Sequence, residues 1–151
     1  MDQLTPDQKA RQGWLSLLAK SDAGMLSRLW AELDLNPAFE TLRQPEIGSV
    51  LVRGRTGATG SAFNLGEMTV TRASIRLSTG EVGHGYVQGR NRDHAQLVAT
   101  IDALLQTDAN QRIQDAVLGP LSDSRTTAKR QRAAKADKTR VEFFTIARGS
   151  D

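Results

Sequence analysis

The stretch Glu67 to Ser78, EMTVTRASIRLS, alternates and is rich in β-branched side chains. A period of two is what a strand with one buried face requires, so this stretch commits the chain to a β-sheet. The alternation slips once. Met68 and Val70 share one face, whereas Ala73, Ile75 and Leu77 share the other. A bulge near Thr71-Arg72, or a change in what packs on the strand, accounts for the slip. Ser78-Thr79-Gly80-Glu81 is a turn signal, and Glu81 to Gln88 reads as a further strand. Consecutive strands joined by a short turn pair antiparallel. Upstream, Ile47, Val50, Leu51 and Val52 predict another strand.

Helical patterns flank the strands. Thr5-Pro6-Asp7-Gln8 starts a helix: Thr5 caps, Pro6 suits the first helical position, and Gln8 completes a capping box. Ala10, Trp14, Leu17 and Leu18 then fall on one face. Ser21-Asp22 restarts the pattern, with Met25, Leu26, Leu29, Trp30 and Leu33 as a second stripe that Asn36-Pro37 ends. The two stripes predict an N-terminal helical hairpin. After Gly89-Arg90-Asn91, a helix capped by Asn91 carries His94, Leu97, Val98, Ile101, Leu104 and Leu105 on one stripe. Gln111 to Leu118 suggests a short helix before Gly119-Pro120, and Asp123 to Arg140 is polar and helix-compatible. Val141 to Ile146, VEFFTI, is apolar on both faces and predicts a buried C-terminal strand. The expected fold is α+β: a helical hairpin, an antiparallel sheet packed against helices, and that last strand. With 151 residues and 38% hydrophobic composition, one domain over 1–151 with one core is expected.

Cysteine is absent, which removes disulfides, thiolate metal sites and cysteine nucleophiles. The N-terminal MDQLTPDQKARQ has no apolar signal region and no apolar run approaches a membrane span, so a cytoplasmic location is expected. Residues 1–120 carry 12 basic and 13 acidic side chains, and residues 121–151 carry 8 and 4, so the basic excess is local to the C-terminal segment. Such a segment suits an anionic partner surface. Its Lys and Arg lack interleaved aromatics for base stacking, which argues against nucleic acid.

The glycine-rich RGRTGATG, Arg53 to Gly60, could gather backbone N–H groups around an anion, with Arg53 and Arg55 adding charge-assisted hydrogen bonds. It is not a P-loop, because Ser61-Ala62-Phe63 follows Gly60 where Lys and a helix would be needed. A hairpin turn is the alternative reading. Gly89 to His94 is a second candidate, a strand end leading into a helix N-terminus, with an ordinary capped connection as its alternative. Glu67 and Arg72 are either a polar pair at a bulge or two solvated strand residues. His94 reads as a hydrogen-bonded core histidine, and His84, alternating with Val82 and Tyr86, as a packed one. Two distant histidines make no case for a metal, and no Ser/His/Asp or paired-carboxylate arrangement stands out.

Three blocks together carry a family resemblance: RTGATGSAFNLGEMTVTRASIRL (Arg55 to Leu77), GYVQGRNRDHAQLVATIDALLQ (Gly85 to Gln106) and RVEFFTIARG (Arg140 to Gly149). With RQGWLSLLA (Arg11 to Ala19) and VLGPL (Val117 to Leu121), they resemble the PhnG family, small subunits of the bacterial carbon–phosphorus lyase core complex. The family pattern has Gly-Arg-Asp where this chain has Gly89-Arg90-Asn91. The resemblance implies a part in organic phosphonate catabolism. It implies partners of the PhnI, PhnH and PhnJ type in a two-fold assembly with two copies of this chain, together with a PhnL-type ATPase. It implies support for a synthase in which a phosphonate oxygen displaces adenine from ATP, giving ribose 1-phosphonate 5-triphosphate. ATP and phosphonate are then substrates of the complex, and this chain has no cofactor of its own. Without cysteine it cannot hold by thiolates the iron–sulfur cluster of the PhnJ-type radical step. In this setting Arg53, Arg55, Gly57, Gly60, Arg72 and Arg90 are the candidate contacts to ligand or partner, and no catalytic acid or base is assigned. A purely structural interaction module and an anion or nucleic-acid binder are the rival expectations.

Overall fold

The computed structural model describes residues 3–55 and 62–149, with side chains placed for 3–53 and 66–137. Two helices come first, α1 (Pro6–Ala19) and α2 (Ala23–Leu33). The capping box of α1 is complete: Thr5 Oγ1 accepts from the Gln8 N–H at 3.2 Å, and Gln8 Oε1 accepts from the Thr5 N–H at 2.9 Å. Asp22 caps α2 through the Met25 N–H, and Asp34 ends it in the left-handed region at φ 52°. The two helices follow one another, but they spend their apolar sides on the rest of the core more than on each other.

Three strands follow: β1 (Phe39–Arg55), β2 (Ala62–Leu77) and β3 (Val82–Gln88). They form one antiparallel sheet in the order β1-β2-β3. The turn between β2 and β3 lies at the expected Ser78 to Glu81, with Gly80 at φ +107°. β2 has no bulge at Thr71-Arg72, because its pairing with β3 runs in register from Val70↔Gln88 to Arg76↔Val82. The nearby irregularities lie in β1, between Thr41 and Arg43 and between Arg43 and Glu46. Pro45 sits in the second of these, where an edge strand can spare an N–H. Glu67 and Arg72 project from opposite faces of β2 and are both exposed, so they are solvated strand residues and no pair.

Helix α3 (Arg92–Leu104) covers the inner face of the sheet. Asn91 caps it as expected, accepting from the His94 N–H at 2.9 Å. Ala95, Ala99 and Ala103 recur every four residues along one side of α3 and lie over Gly83 and Gly85 of β3. A Cβ at Gly83 would stand 1.9 Å from the Ala99 carbonyl oxygen, and one at Gly85 would stand 1.9 Å from that of Ala95. Helix and strand therefore meet backbone to backbone. The other side of α3 faces α1, α2 and the segment after it, so both sides are buried. Leu18, Leu26, Ile75, Val87, Val98, Ile101, Ile113 and Val117 all enter this core, each fully or almost fully removed from water. Burying a side chain of this size contributes about 1.5–3 kcal/mol.

Beyond α3 come α4 (Asn110–Ile113), a π-helical turn (Gln114–Leu118) and α5 (Gly119–Gly149). The expected break at Gly119-Pro120 does not occur. The Gly119 N–H bonds to the Gln114 carbonyl, and the widened turn places the Pro120 ring just after a π-type step, where it does not interrupt the helix. The expected C-terminal strand is also absent, for Val141 to Ile146 continue α5. Strand preference in so short a run depends on context. Here the run follows a stretch rich in Ala, Lys, Arg and Gln, and extending an existing helix avoids the cost of a new nucleus. At about 1.5 Å per residue, α5 is ~46 Å long, and residues 122–137 are exposed throughout.

Candidate functional site

The expected contact residues are strung along the sheet. Arg53 lies on β1 opposite Asn64, and its side chain is exposed. Arg55 is the last residue of β1, opposite Ala62. Gly57 and Gly60 lie outside the described residues. Arg72 is on the outer face of β2, level with Glu46 on one side and Tyr86 on the other. Arg90 is exposed in the bend between β3 and α3. The rungs of Arg53 and Arg72 are eight β2 residues apart, about 26 Å at ~3.3 Å per residue. No single phosphate or phosphonate can be shared between them. Arg53 and Arg72 therefore do not form one anion site.

Other arginines are already engaged. Arg76 bonds Glu40 at 2.9 Å and Arg43 bonds Glu46 at 3.2 Å, both in the open on the outer face. Arg112 donates to the Leu33 carbonyl at 3.0 Å and so ties the end of α2 to α4. Arg53, Arg72 and Arg90 hold no carboxylate among the described residues.

The most concentrated polar chemistry is interior. Asp102 of α3 is completely buried. Its Oδ1 accepts from Arg11 Nε at 3.1 Å and from Trp14 Nε1 at 2.8 Å. Its Oδ2 accepts from Arg11 Nη2 at 2.8 Å and from the His84 backbone N–H at 2.9 Å. Arg11 Nη2 also reaches the Val82 carbonyl at 3.2 Å, which Gln106 Nε2 meets at 2.9 Å. Four donors on two oxygens satisfy a carboxylate that burial would otherwise penalise heavily. The hydrogen bond to Asp102 raises the Arg11 guanidinium above its ordinary value, and the nearby charge adds to this while burial opposes it. The arrangement joins α1, α3 and β3. It is a structural clasp, with every lone pair turned inward.

An open groove of about 640 Å³ runs beside the clasp, lined in part by Asp7, Gln8, Arg11, Gln106, Asn110 and Gln114. Its cation, Arg11, is already neutralised by Asp102, so the groove offers little to a polyanion. On the outer face, Ser74 Oγ and His84 Nδ1 are 2.9 Å apart. His84 is exposed and not packed as expected, because β3 alternates Gly83, Gly85 and Val87 inward with His84, Tyr86 and Gln88 outward. The contact sits on an open sheet face. His94 is the core histidine expected, with Nε2 3.1 Å from the Leu18 carbonyl. Among the described residues no cluster of three or more metal-ligating side chains occurs, and no helix is long and apolar enough to cross a membrane.

Asp102, Arg11 and Trp14 were not singled out from the sequence. A signal was present: Asp102 lies four residues after Val98 and eight after His94, on the apolar side of the helix. A carboxylate there must find donors, and Arg11 and Trp14 stand three apart on α1.

Residues 9–149 match the family described as phosphonate metabolism protein PhnG. The chain belongs to the PhnG family. The alpha-D-ribose 1-methylphosphonate 5-triphosphate synthase subunit PhnG of Rhizobium meliloti (strain 1021) is 43% identical over 141 residues, covering 93% of this chain and 90% of that protein. The matched span runs from the first turn of α1 to the end of α5. The matched span contains the clasp residues Arg11, Trp14 and Asp102 along with the arginine-bearing sheet.

Proposed function

We propose that this PhnG-family chain is an accessory subunit of alpha-D-ribose 1-methylphosphonate 5-triphosphate synthase. The observation that carries the reading is the near full-length similarity to a protein named as that subunit. In this reading the complex takes ATP and an organic phosphonate as substrates, and a phosphonate oxygen replaces adenine at the anomeric carbon of the ribose. The chain works beside PhnI-, PhnH- and PhnJ-type subunits in a two-fold assembly, together with a PhnL-type ATPase, in the cytoplasm. It supplies no cofactor.

Two roles fit such a subunit: lending arginines to an anionic substrate, or shaping the assembly without touching ligand. The wide spacing of Arg53 and Arg72 favours the second. Separate arginines on an extended surface suit separate carboxylates of a partner better than one triphosphate. Reconstituted turnover tests the proposal. The other subunits are assayed for adenine release from ATP in the presence of methylphosphonate, with and without this chain. Omission should abolish or sharply reduce release, and unchanged release would sink the subunit reading. Replacing Arg55 with Ala then separates the two roles. A ligand-contacting arginine would lower turnover in a fully assembled complex, whereas a partner-contacting one would lower assembly.

A further inference from the structure

The slip in the β2 alternation coincides with the end of the third strand. β3 pairs with β2 from Val70 to Arg76 only, while β1 and β2 continue together from Gly48↔Val70 to Arg55↔Ala62. The far half of the hairpin is thus a two-stranded ribbon beyond β3. Along β2 the side facing α3 is apolar where β3 is present, at Ala73, Ile75 and Leu77. Beyond that point the apolar positions change sides. Val70 and Met68 pair with Gly48 and Val50, and Val52 follows, all on the face turned away from α3. Val70 is buried yet stands outside the core cluster. The opposite face of the ribbon bears Leu51, 55% exposed. The ribbon therefore carries apolar residues on both faces, Leu51 exposed on one and Val50, Val52 and Met68 half-buried on the other, and the face change begins where β3 ends.

A two-stranded ribbon is marginal in water, and beyond the bond from the Gly89 N–H to the Thr69 carbonyl no third strand pairs with either edge among the described residues. Natural edges of this kind are shortened, charged or covered. This one is long and carries valines, a leucine and a methionine. We propose that the β1–β2 ribbon is an assembly arm that inserts into another subunit of the synthase, with Val50, Leu51, Val52 and Met68 as its apolar contacts. The inference rests on the subunit reading above. The occupant is a different subunit and not a second copy. The named relative is a subunit of a synthase, and the arm places Arg53 and Arg55 toward its end against a single acidic residue, Glu67. A basic end calls for a partner groove that is apolar along its length and acidic where the arginines arrive. Two copies would bring basic ends of the same sign.

The test uses the full-length chain co-expressed with the other synthase subunits and recovered through a tag on one of them. Val50→Asp and Leu51→Asp, made singly, should each reduce the recovered chain about tenfold or more, since a lone charge in an apolar contact is rarely tolerated. Lys9→Glu on the exposed side of α1 should leave recovery unchanged. Hydrogen exchange on the unmodified chain guards against variants that fold poorly: amides of 48–53 and 66–69 should exchange quickly in the isolated chain and become protected in the complex. If the unmodified chain is not recovered at all, the subunit reading fails and the arm falls with it. If it is recovered, but the arm variants are retained and those amides gain no protection, the arm inference alone is overturned. Protection that instead grows with concentration of the isolated chain would assign the arm to a second copy and overturn the stated occupant.

Discussion

Arg11 Nη2 of α1 lies 2.8 Å from Oδ2 of Asp102 in α3, and Asp102 is wholly buried while a third of the arginine side chain reaches solvent. The pair is thus lopsided. Removing Arg11 strands a charge in the interior, whereas removing Asp102 leaves an arginine that can turn outward. Breaking a buried pair from one side costs about 3–5 kcal/mol. Arg11→Ala should therefore destabilise by about 3 kcal/mol or more, lowering Tm by roughly 10 °C. Asp102→Asn, which keeps one acceptor for Trp14 or His84, should cost less than Asp102→Ala. Thermal melts of the three variants check the order, and an unchanged Tm for Arg11→Ala would remove the clasp from the account.

Gly83 and Gly85 set how closely α3 approaches β3. An alanine at either position would place its Cβ 1.9 Å from a helix carbonyl oxygen. The obstacle is backbone, so the helix itself must move, and overpacking of this kind costs about 3 kcal/mol or more. Gly83→Ala and Gly85→Ala should each lower stability by that order in denaturant titration. Gly13→Ala, where no atom would lie within 4 Å of the new Cβ, is the control and should not destabilise.

The Asn91 cap is a smaller and local contribution. Asn91→Ala removes the acceptor for the His94 N–H and should cost about 1 kcal/mol. Asn91→Asp keeps the cap and adds a charge favoured at a helix N-terminus. Its stability should equal or exceed that of the natural chain in the same melt.

Glu81 accepts a hydrogen bond from the Thr79 hydroxyl in the β2–β3 turn, and this bond, followed by one to its own backbone, holds its carboxyl below the ordinary glutamate value. A lowered folded value means that the bond supports the turn above the ordinary range and loses that support as pH falls through the folded value. Thr79→Ala should return the Glu81 titration toward the ordinary value, as followed by NMR. A titration unmoved by the substitution would show that the hydroxyl is not the cause. The Arg11 value is shifted the other way, upward, so its contribution is full at neutral pH and is lost only above the ordinary arginine range.

Much of this architecture is legible in the sequence where the signal is local. Thr5, Asn91 and the Ser78–Glu81 turn act through side chains or glycine within four residues, and each is found as read. Elements decided by distant partners are less legible. The period of β2 is visible, but its slip marks where β3 and α3 stop covering it, and only the pairing register shows that. His84 alternates with Val82 and Tyr86 in a way that looks packed, yet the inward positions of β3 belong to glycines, which carry no apolar signal. Val141 to Ile146 has strand preference, and the long helix before it decides otherwise. Arg53 and Arg72 are visible as cations, but whether they converge depends on their rungs in the sheet. The Asp102 clasp joins residues 91 apart in sequence, and its trace in the sequence is one carboxylate on an apolar helix face.

The most direct test of the subunit account is co-expression with the PhnI-type subunit of the same source, purified through a tag on that partner at moderate salt. A subunit of the synthase should emerge with that partner in a stable complex of fixed stoichiometry. Elution of this chain alone, folded and monomeric, while the tagged partner is recovered without it, would contradict the account.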